Sequence, residues 1–446
     1  MTNKKFKLAA MSLATAVAVS AVGPSASAVT YYLGDGSVTV DQDNKGAFSY
    51  QGEDGNRTYV NEDKAETGDG TIYVKDGNAP TGEVPPSTDN SNNGTEETTP
   101  TDNAAQSTDA SGNNAENSST SETTTGNTIT VKEDVKDATI VVDGVNVDTS
   151  DTSTTTDTPA EVPADADTKE DKTIIKVGEG ADVDLTVRDS NLTTGGNGID
   201  IGVNLDGKDE NKEINVDLTL DNTKVNLTQN GKAGINVQDN SDVNLTLKGE
   251  NAIDGSKAIE NEDLKKNVNV EGIRVGGGGA GDGSGASEGA KTHLTISGGV
   301  EKTETAEADT EETESPAGGS LTISKTTGGL VMADGSDVEI TDGADVTIED
   351  TKTSSSTQAG RAVTQHGDLT LSGGSSLTID GGKDNKAPHT GIGIASWDDI
   401  TVEDGSTLDI SGAATGIYGH QGASLTTEDS TLNITNSDAG IRYEGS

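Results

Sequence analysis

The chain has 446 residues, no cysteine, a formal net charge of −47 at pH 7, and only 29% hydrophobic and 2% aromatic residues. Without cysteine, disulfides and thiolate metal sites are excluded, and the strong negative charge disfavours nucleic acid and anionic membranes as partners. The apolar content is low for a large globular core but sufficient for a narrow stacked core, in which each layer buries a few side chains against its neighbours.

The first 28 residues have the pattern of a secretory signal peptide. A lysine-rich start at 4–7 is followed by an apolar stretch over 8–22 and by the small-residue motif Ala26-Ser27-Ala28. The apolar stretch is short for a membrane span. We therefore expect cleavage near Val29, a secreted or cell-surface location, and no membrane insertion after cleavage.

The region after the signal divides by composition. Residues 29–77 hold short alternating runs separated by Asp-Gly and Gly-Asp pairs, which predicts a small antiparallel β region. Residues 78–126 are rich in Ser, Thr, Asn and Glu with almost nothing apolar, which predicts a disordered, extended linker.

Residues 127–446 contain a repeated phrase. Gly391-Ile392, Gly416-Ile417 and Gly440-Ile441 recur at intervals of 25 and 24 residues. Earlier copies stand at Gly198-Ile199, Gly234-Ile235 and Gly272-Ile273, and degenerate copies at Gly329-Leu330 and Arg361-Ala362. A repeat of this length, built from short alternating strands and Gly/Asp turns, predicts an all-β solenoid. Low-complexity insertions near 148–172, 276–290 and 300–319 are expected to form loops on it.

Each repeat predicts three strands per coil, which in one copy span 391–395, 399–403 and 406–410. Period-two alternation points one set of side chains inward: Ile392, Ile394, Ile400, Val402, Leu408 and Ile410. Parallel coils then superimpose like residues about 4.8 Å apart. The predicted stacks are Ile392 with Ile417 and Ile441, and Leu377 with Leu408 and Leu432.

The glycine before each isoleucine is expected to supply a positive φ at a tight bend. An antiparallel sandwich or barrel also uses short strands and Gly/Asp turns, so it is the competing fold. It does not, however, require one three-strand phrase to recur at a fixed interval.

Phrases such as ATIVVDGVNV, VDLTVRDSNL, HLTISGG and GIGIASW resemble secreted β-helical repeat proteins of gut Firmicutes and related bacteria. The resemblance spans about 127–446 and implies a right-handed parallel β-helix of the pectin-lyase-like type. Proteins of this group are often labelled carbohydrate-binding or adhesin-like. The chain carries no wall-sorting motif or terminal hydrophobic tail, and ends just inside a new coil, so a truncated gene product is expected.

Catalytic chemistry has weak support in the sequence. A β-helical lyase needs clustered carboxylates for Ca²⁺ with an Arg or Lys base, and a hydrolase needs a suitably spaced carboxylate pair. The adjacent pair in the regular coils, Asp398-Asp399, is typical of a solvated turn. Four scattered histidines do not form a metal triad and are expected to face solvent: His293, His366, His389 and His420.

Calcium is left open by the sequence. Asp-Gly turns recur, and an acidic rod gains stability from bound cations. Ordinary turn chemistry explains the same pairs. No other cofactor is predicted.

One surface row is the candidate ligand site. If Ile392, Ile417 and Ile441 point inward, alternation sends four ligand-binding candidates outward on consecutive coils, with Glu444 beside them: Trp397, Tyr418, His420 and Arg442. Trp397 is the only tryptophan, and exposed aromatic rings suit stacking on sugars. The alternative is that Trp397 caps a turn and packs against the rod.

The sequence therefore predicts a secreted or surface-exposed, non-catalytic, adhesin-like protein that binds a polysaccharide or a host or bacterial surface glycan. The alternatives are a polysaccharide lyase or glycoside hydrolase on the same scaffold, and an inert structural stalk.

Overall fold

The computed structural model describes residues 29–42, 48–51, 57–60, 71–77, 124–150, 172–207, 212–260, 269–277, 291–299, 318–351, 360–382 and 391–444. In these residues the chain winds into a parallel β-helix with three strands per coil. The predicted signal peptide, residues 78–123 of the linker, most of the three insertions and His389 lie outside the described residues. Expectations that concern them stay predictions, as does the right-handed sense of the coil.

Three sheets run along the helix. Sheet 1 contains β1 (Val29–Tyr32), β5 (Ile72–Lys75), β8 (Lys136–Asp143), β11 (Asp182–Arg188), β14 (Ile214–Asp221), β17 (Ser241–Lys248), β20 (Thr292–Gly298), β23 (Ser336–Thr341), β26 (Leu369–Leu371), β29 (Ile400–Val402) and β32 (Leu425–Thr427). Sheet 2 contains β4 (Arg57–Val60), β3 (Phe48–Gln51), β2 (Val38–Gln42), β7 (Ile129–Val131), β10 (Ile175–Gly178), β13 (Ile199–Val203), β16 (Lys232–Val237), β19 (Val270–Val275), β22 (Gly328–Met332), β25 (Arg361–Gln365), β28 (Ile392–Ser396), β31 (Thr415–Gly419) and β34 (Ala439–Tyr443). Sheet 3 contains β6 (Thr124–Thr125), β9 (Asn146–Asp148), β12 (Asn191–Thr194), β15 (Lys224–Leu227), β18 (Glu250–Asp254), β21 (Ser320–Ser324), β24 (Asp345–Glu349), β27 (Ser376–Asp380), β30 (Thr407–Ser411) and β33 (Thr431–Thr435).

Two short helices complete the described elements: the 3₁₀ turn Leu33–Asp35 and α1 (Ser256–Glu260). Neither these nor any other helix within the described ranges has the length and apolar character of a membrane span.

The core is a stack of aliphatic side chains inside the three sheets, because strand alternation sends every second residue inward. In β14, for example, buried Ile, Val and Leu alternate with exposed or half-buried Asn, Asp and Thr. The inward column of sheet 2 contains one residue per coil: Val38, Ile129, Ile175, Ile199, Ile235, Ile273, Leu330, Val363, Ile394, Ile417 and Ile441. Eleven stacked positions give a rod about 48 Å long at a spacing of ~4.8 Å.

The predicted stacks are right in sheet 3 and wrong at one position in sheet 2. Leu377, Leu408 and Leu432 are register partners on consecutive coils. Ile417 and Ile441 also pair, but their partner in the preceding coil is Ile394, whereas Ile392 pairs with Thr415 and is only half-buried. The predicted copy at Arg361-Ala362 is likewise off by one residue, because Val363 occupies the inward column.

A glycine precedes seven of these inward residues, and its role differs from the predicted one. In this column positive φ is absent for the described glycines Gly198, Gly234, Gly272, Gly329, Gly393, Gly416 and Gly440. Instead, the first six of these glycines lie directly over a backbone carbonyl of the next coil, which for Gly329 is that of Ala362, whereas a Cβ on the terminal Gly440 would meet nothing within 4 Å. A Cβ on Gly198, for example, would lie 2.5 Å from the carbonyl oxygen of Gly234. Close approach between coils therefore favours glycine at this position, although Ala362 occupies it in one coil.

The N-terminal region belongs to the same helix. β1 and β5 pair in parallel with each other, β5 pairs in parallel with β8, and β2 pairs in parallel with β7. The predicted antiparallel element is limited to β2, β3 and β4. Residues 29–77 thus supply the first strands of the rod, and the segment predicted as a linker connects two parts of the same sheets.

Candidate functional site

The candidate site lies on the outer face of sheet 2, at the C-terminal coils. The residues that directly follow β22, β25, β28, β31 and β34 form a first outward column: Ala333, His366, Trp397, His420 and Glu444. A second column lies two residues earlier on each strand: Val331, Thr364, Ala395, Tyr418 and Arg442. Both columns follow directly from the register set by the buried core.

Three rings of the first column stack on one another, and we call His366, Trp397 and His420 the ring ladder. The centroid of the Trp397 ring lies 4.0 Å from that of the His366 ring and 3.8 Å from that of the His420 ring, with interplanar angles of 13° and 12°. Backbone N–H groups hold this spacing, since Trp397 donates to the carbonyl of Gln365 and His420 donates to that of Ser396. Parallel strands bring the rings close to the separation that stacked aromatic pairs prefer.

A carboxylate stands at each end of the ring ladder. Nδ1 of His366 lies 3.3 Å from Oδ1 of Asp334, and Nδ1 of His420 lies 3.3 Å from Oε2 of Glu444. The order along the rod axis is therefore acid, imidazole, indole, imidazole, acid. The His366 side chain is only 10% exposed, so the prediction that it faces solvent is wrong.

Tyr418 and Arg442 flank the ladder in the second column. The Tyr418 hydroxyl donates to Oε1 of Glu444 at 2.9 Å, and its ring meets the His420 ring edge-on at 4.9 Å. The Arg442 guanidinium lies 5.6 Å from the Tyr418 ring centroid, within cation–π range. The hydrogen bond between Tyr418 and Glu444 raises the pKa of the tyrosine and lowers the pKa of the glutamate.

The four predicted candidates thus form one contiguous cluster, as expected. The sequence reasoning missed His366 and also Arg361, whose guanidinium lies 5.5 Å from the Trp397 ring centroid. The one-residue error at Arg361-Ala362 concealed both. Aligning Val363 with Ile394 places His366 directly beneath Trp397.

The predicted mode of sugar contact at Trp397 is wrong. A sugar ring would have to stack on a face of the indole, and both faces are covered by imidazoles. The half-buried Trp397 therefore offers only its edge to a ligand. The groups left for direct contact are the polar ends of Tyr418, Arg361, Arg442 and Glu444 at the rim of the ladder.

The neighbouring aspartates form hydrogen bonds between coils at the corner between sheets 2 and 1. Oδ1 of Asp368 accepts from the backbone N–H of Asp399 at 3.3 Å, and Oδ1 of Asp399 accepts from the Ser424 hydroxyl at 2.7 Å. Each carboxylate thus binds a donor of the next coil. Partial burial, followed by the charges of Asp368 and other nearby aspartates, raises the pKa of Asp398.

Within the described ranges, no group of three or more His, Asp and Glu side chains is arranged to hold a metal ion. Calcium binding stays an open prediction.

No family model matches the chain, and comparisons with curated proteins and with solved structures return no match. The class defined by the fold is therefore a parallel β-helix solenoid. The resemblance to secreted repeat proteins stays a prediction.

Proposed function

We propose that this chain is an exported, non-catalytic β-helical protein that binds glycans along the outer face of sheet 2. The observation that carries the proposal is the concentration of planar polar side chains on this face. The ring ladder, Tyr418, Arg361 and Arg442 lie together there, whereas the outer face of sheet 1 carries mainly Asp, Asn and Thr. Guanidinium, phenol and imidazole groups form directional hydrogen bonds with sugar hydroxyls.

The β-helix suits such a ligand because its side chains are held at fixed intervals. Consecutive coils are about 4.8 Å apart, close to the length of one sugar residue in an extended chain. Weak contacts repeated along a rigid face add through effective concentration. The ring ladder would hold the donors of the rim in place, and the rim would make the contacts.

The test is a glycan array probed with the full chain, with Arg442→Gln and Tyr418→Phe as variants. Arg188→Gln is the matched control, because Arg188 is on sheet 1 and its Nε and Nη2 are paired with Asp143 at 2.9 Å each. We expect Arg442→Gln to bind at least about tenfold more weakly, the size of one charge-assisted hydrogen bond, and Tyr418→Phe to bind at least about threefold more weakly, the size of one neutral hydrogen bond. The control should bind like wild type.

Equal binding by all variants, or no bound glycan, refutes the proposal. Release of unsaturated or shortened sugars from pectin or xylan during the same incubation would favour a lyase or hydrolase instead.

A further inference from the structure

The two histidines of the ring ladder have different surroundings. The His420 side chain is 21% exposed, and its Nδ1 lies beside Glu444. The His366 side chain is 10% exposed, and its Nε2 is buried without a hydrogen-bond partner among the described residues. Nδ1 of His366 already faces Asp334, so a second proton would have to go to Nε2, where a buried charged N–H would lack an acceptor. Proton uptake by the ladder therefore falls on His420.

Negative charge prevails around the ring ladder. The titratable and charged groups of the surrounding coils are Asp334 after β22, Arg361 and Asp368 on the coil of β25, Asp398 and Asp399 after β28, Tyr418 on β31, and Arg442 and Glu444 at β34. Carboxylates outnumber guanidinium groups in this set, so the local field favours a positive charge on an imidazole.

Two contacts of His420 become stronger when its imidazole is charged. The ring centroid lies 3.8 Å from that of Trp397, so an imidazolium on this face of the indole forms a cation–π pair. Nδ1 lies 3.3 Å from Oε2 of Glu444, so the same proton turns this contact into an ion pair. The hydrogen bond from Tyr418 and the contact with His420 lower the pKa of Glu444, which keeps this carboxylate ionised while histidines titrate.

We infer that the ring ladder is a pH-sensitive latch between coils, in which His420 takes up a proton in mildly acidic solution. The imidazolium then holds Trp397 on the preceding coil and Glu444 on the following coil more firmly, while neutral His366 supports the other face of the indole. Both contacts of His420 form only in the folded chain, so protons bind the folded state preferentially and its stability rises as pH falls through the histidine range. This inference goes beyond the proposed function and does not depend on glycan binding.

The first measurement is the fluorescence of Trp397, which reports on the ladder alone because it is the only tryptophan. The proteins are the full chain and its His420→Gln and His366→Gln variants. His293→Gln is the matched control, because His293 is on sheet 1, where its Nε2 lies 3.1 Å from Oγ1 of Thr295. Wild-type emission should fall reversibly between about pH 8 and pH 5, because an imidazolium in contact with an indole quenches it. His366→Gln and the control should keep this fall, and His420→Gln should lose it.

The second measurement is urea unfolding followed by the same emission at both ends of this pH range. The unfolding constant of wild type relative to that of His420→Gln should be about two- to fivefold lower at the acidic end, the size of one cation–π contact. The two proteins share every other acid, so the remaining titrations cancel in the ratio. Glu444→Gln guards against misfolding, since it leaves all three rings in place and should still reduce the gain in acid.

Three results overturn the assignment of His420: constant emission of wild type across the range, an unchanged fall in His420→Gln, or a fall that disappears in His366→Gln. An equal ratio of unfolding constants at both pH values overturns the latch. The glycan array tests the proposed function separately, so each of these results leaves that proposal standing.

Discussion

The glycine column of sheet 2 gives the sharpest test of how the coils are packed. In Gly272→Ala, the new Cβ would lie 2.5 Å from the carbonyl oxygen of Gly329 and would also collide with Cγ2 of Ile323. Ordinary contact of a Cβ begins at 3.4 Å, so the methyl group is about 0.9 Å too close. The coils on either side are tied to this one by parallel strand pairing, and little room exists for relaxation.

We expect Gly272→Ala to lower the free energy of unfolding by about 1–3 kcal/mol, the usual range for overpacking. Gly440→Ala is the matched control, because it lies in the same column but its Cβ would meet nothing within 4 Å. Its reduced unfolded-state entropy predicts an unchanged or slightly raised stability, by up to about 1 kcal/mol.

The assay is urea unfolding followed by far-ultraviolet circular dichroism. If Gly272→Ala is as stable as wild type, close approach is not the reason for the glycine. The loss of unfolding free energy should not exceed this range, because one coil carries Ala362 in the same column with its methyl group buried.

Three further predictions concern stability. Trp397→Ala removes two stacked ring pairs and should cost about 1–3 kcal/mol, whereas Trp397→Phe should cost less; equal urea midpoints would argue against the ring ladder. Burial and the charge of Asp217 raise the pKa of Asp184, so its ionisation opposes folding. Asp184→Asn should therefore stabilise the protein at pH 7 by less than about 1 kcal/mol, and this gain should vanish as acid protonates the wild-type carboxyl. The hydrogen bond from Arg188 lowers the pKa of Asp143, so that pair stabilises above the ordinary aspartate pKa and loses its effect as pH falls through the lowered value. Asp143→Asn should then cost up to about 1 kcal/mol at pH 7 and nothing in strong acid, as measured by urea midpoints across pH.

The parallel coil and most of its register could be predicted from the sequence. Leu377, Leu408 and Leu432 were identifiable because their strands carry the same SLTID-like phrase without insertions. The segment GIGI at 391–394 contains two overlapping copies of the motif, and local pattern cannot choose between them. Hydrogen bonding to the next coil decides, since it aligns Ile394 with Ile417.

Four members of the cluster were placed on one face from the sequence, but His366, Arg361 and the geometry of the cluster were not predicted. Alternation is enough to place Trp397, Tyr418 and His420 on one face. Whether a ring is free or covered depends on the residue one coil earlier, and the position of His366 depends on the exact register at Val363.

The N-terminal strands were misjudged for a related reason. Pairing of β2 with β7 joins residues about 90 positions apart, and no local signal reports a contact of that range.

The direction of the hydrogen bonds between coils has a mechanical consequence. In every parallel pair these bonds run along the rod axis, so a pull on the two ends of the rod loads them one coil at a time instead of shearing a whole sheet together. Each coil of about 24 residues that detaches would release roughly 80 Å of chain in exchange for ~4.8 Å of rod. A rod of this design would yield under tension by stepwise lengthening and absorb work before any attached ligand is torn away.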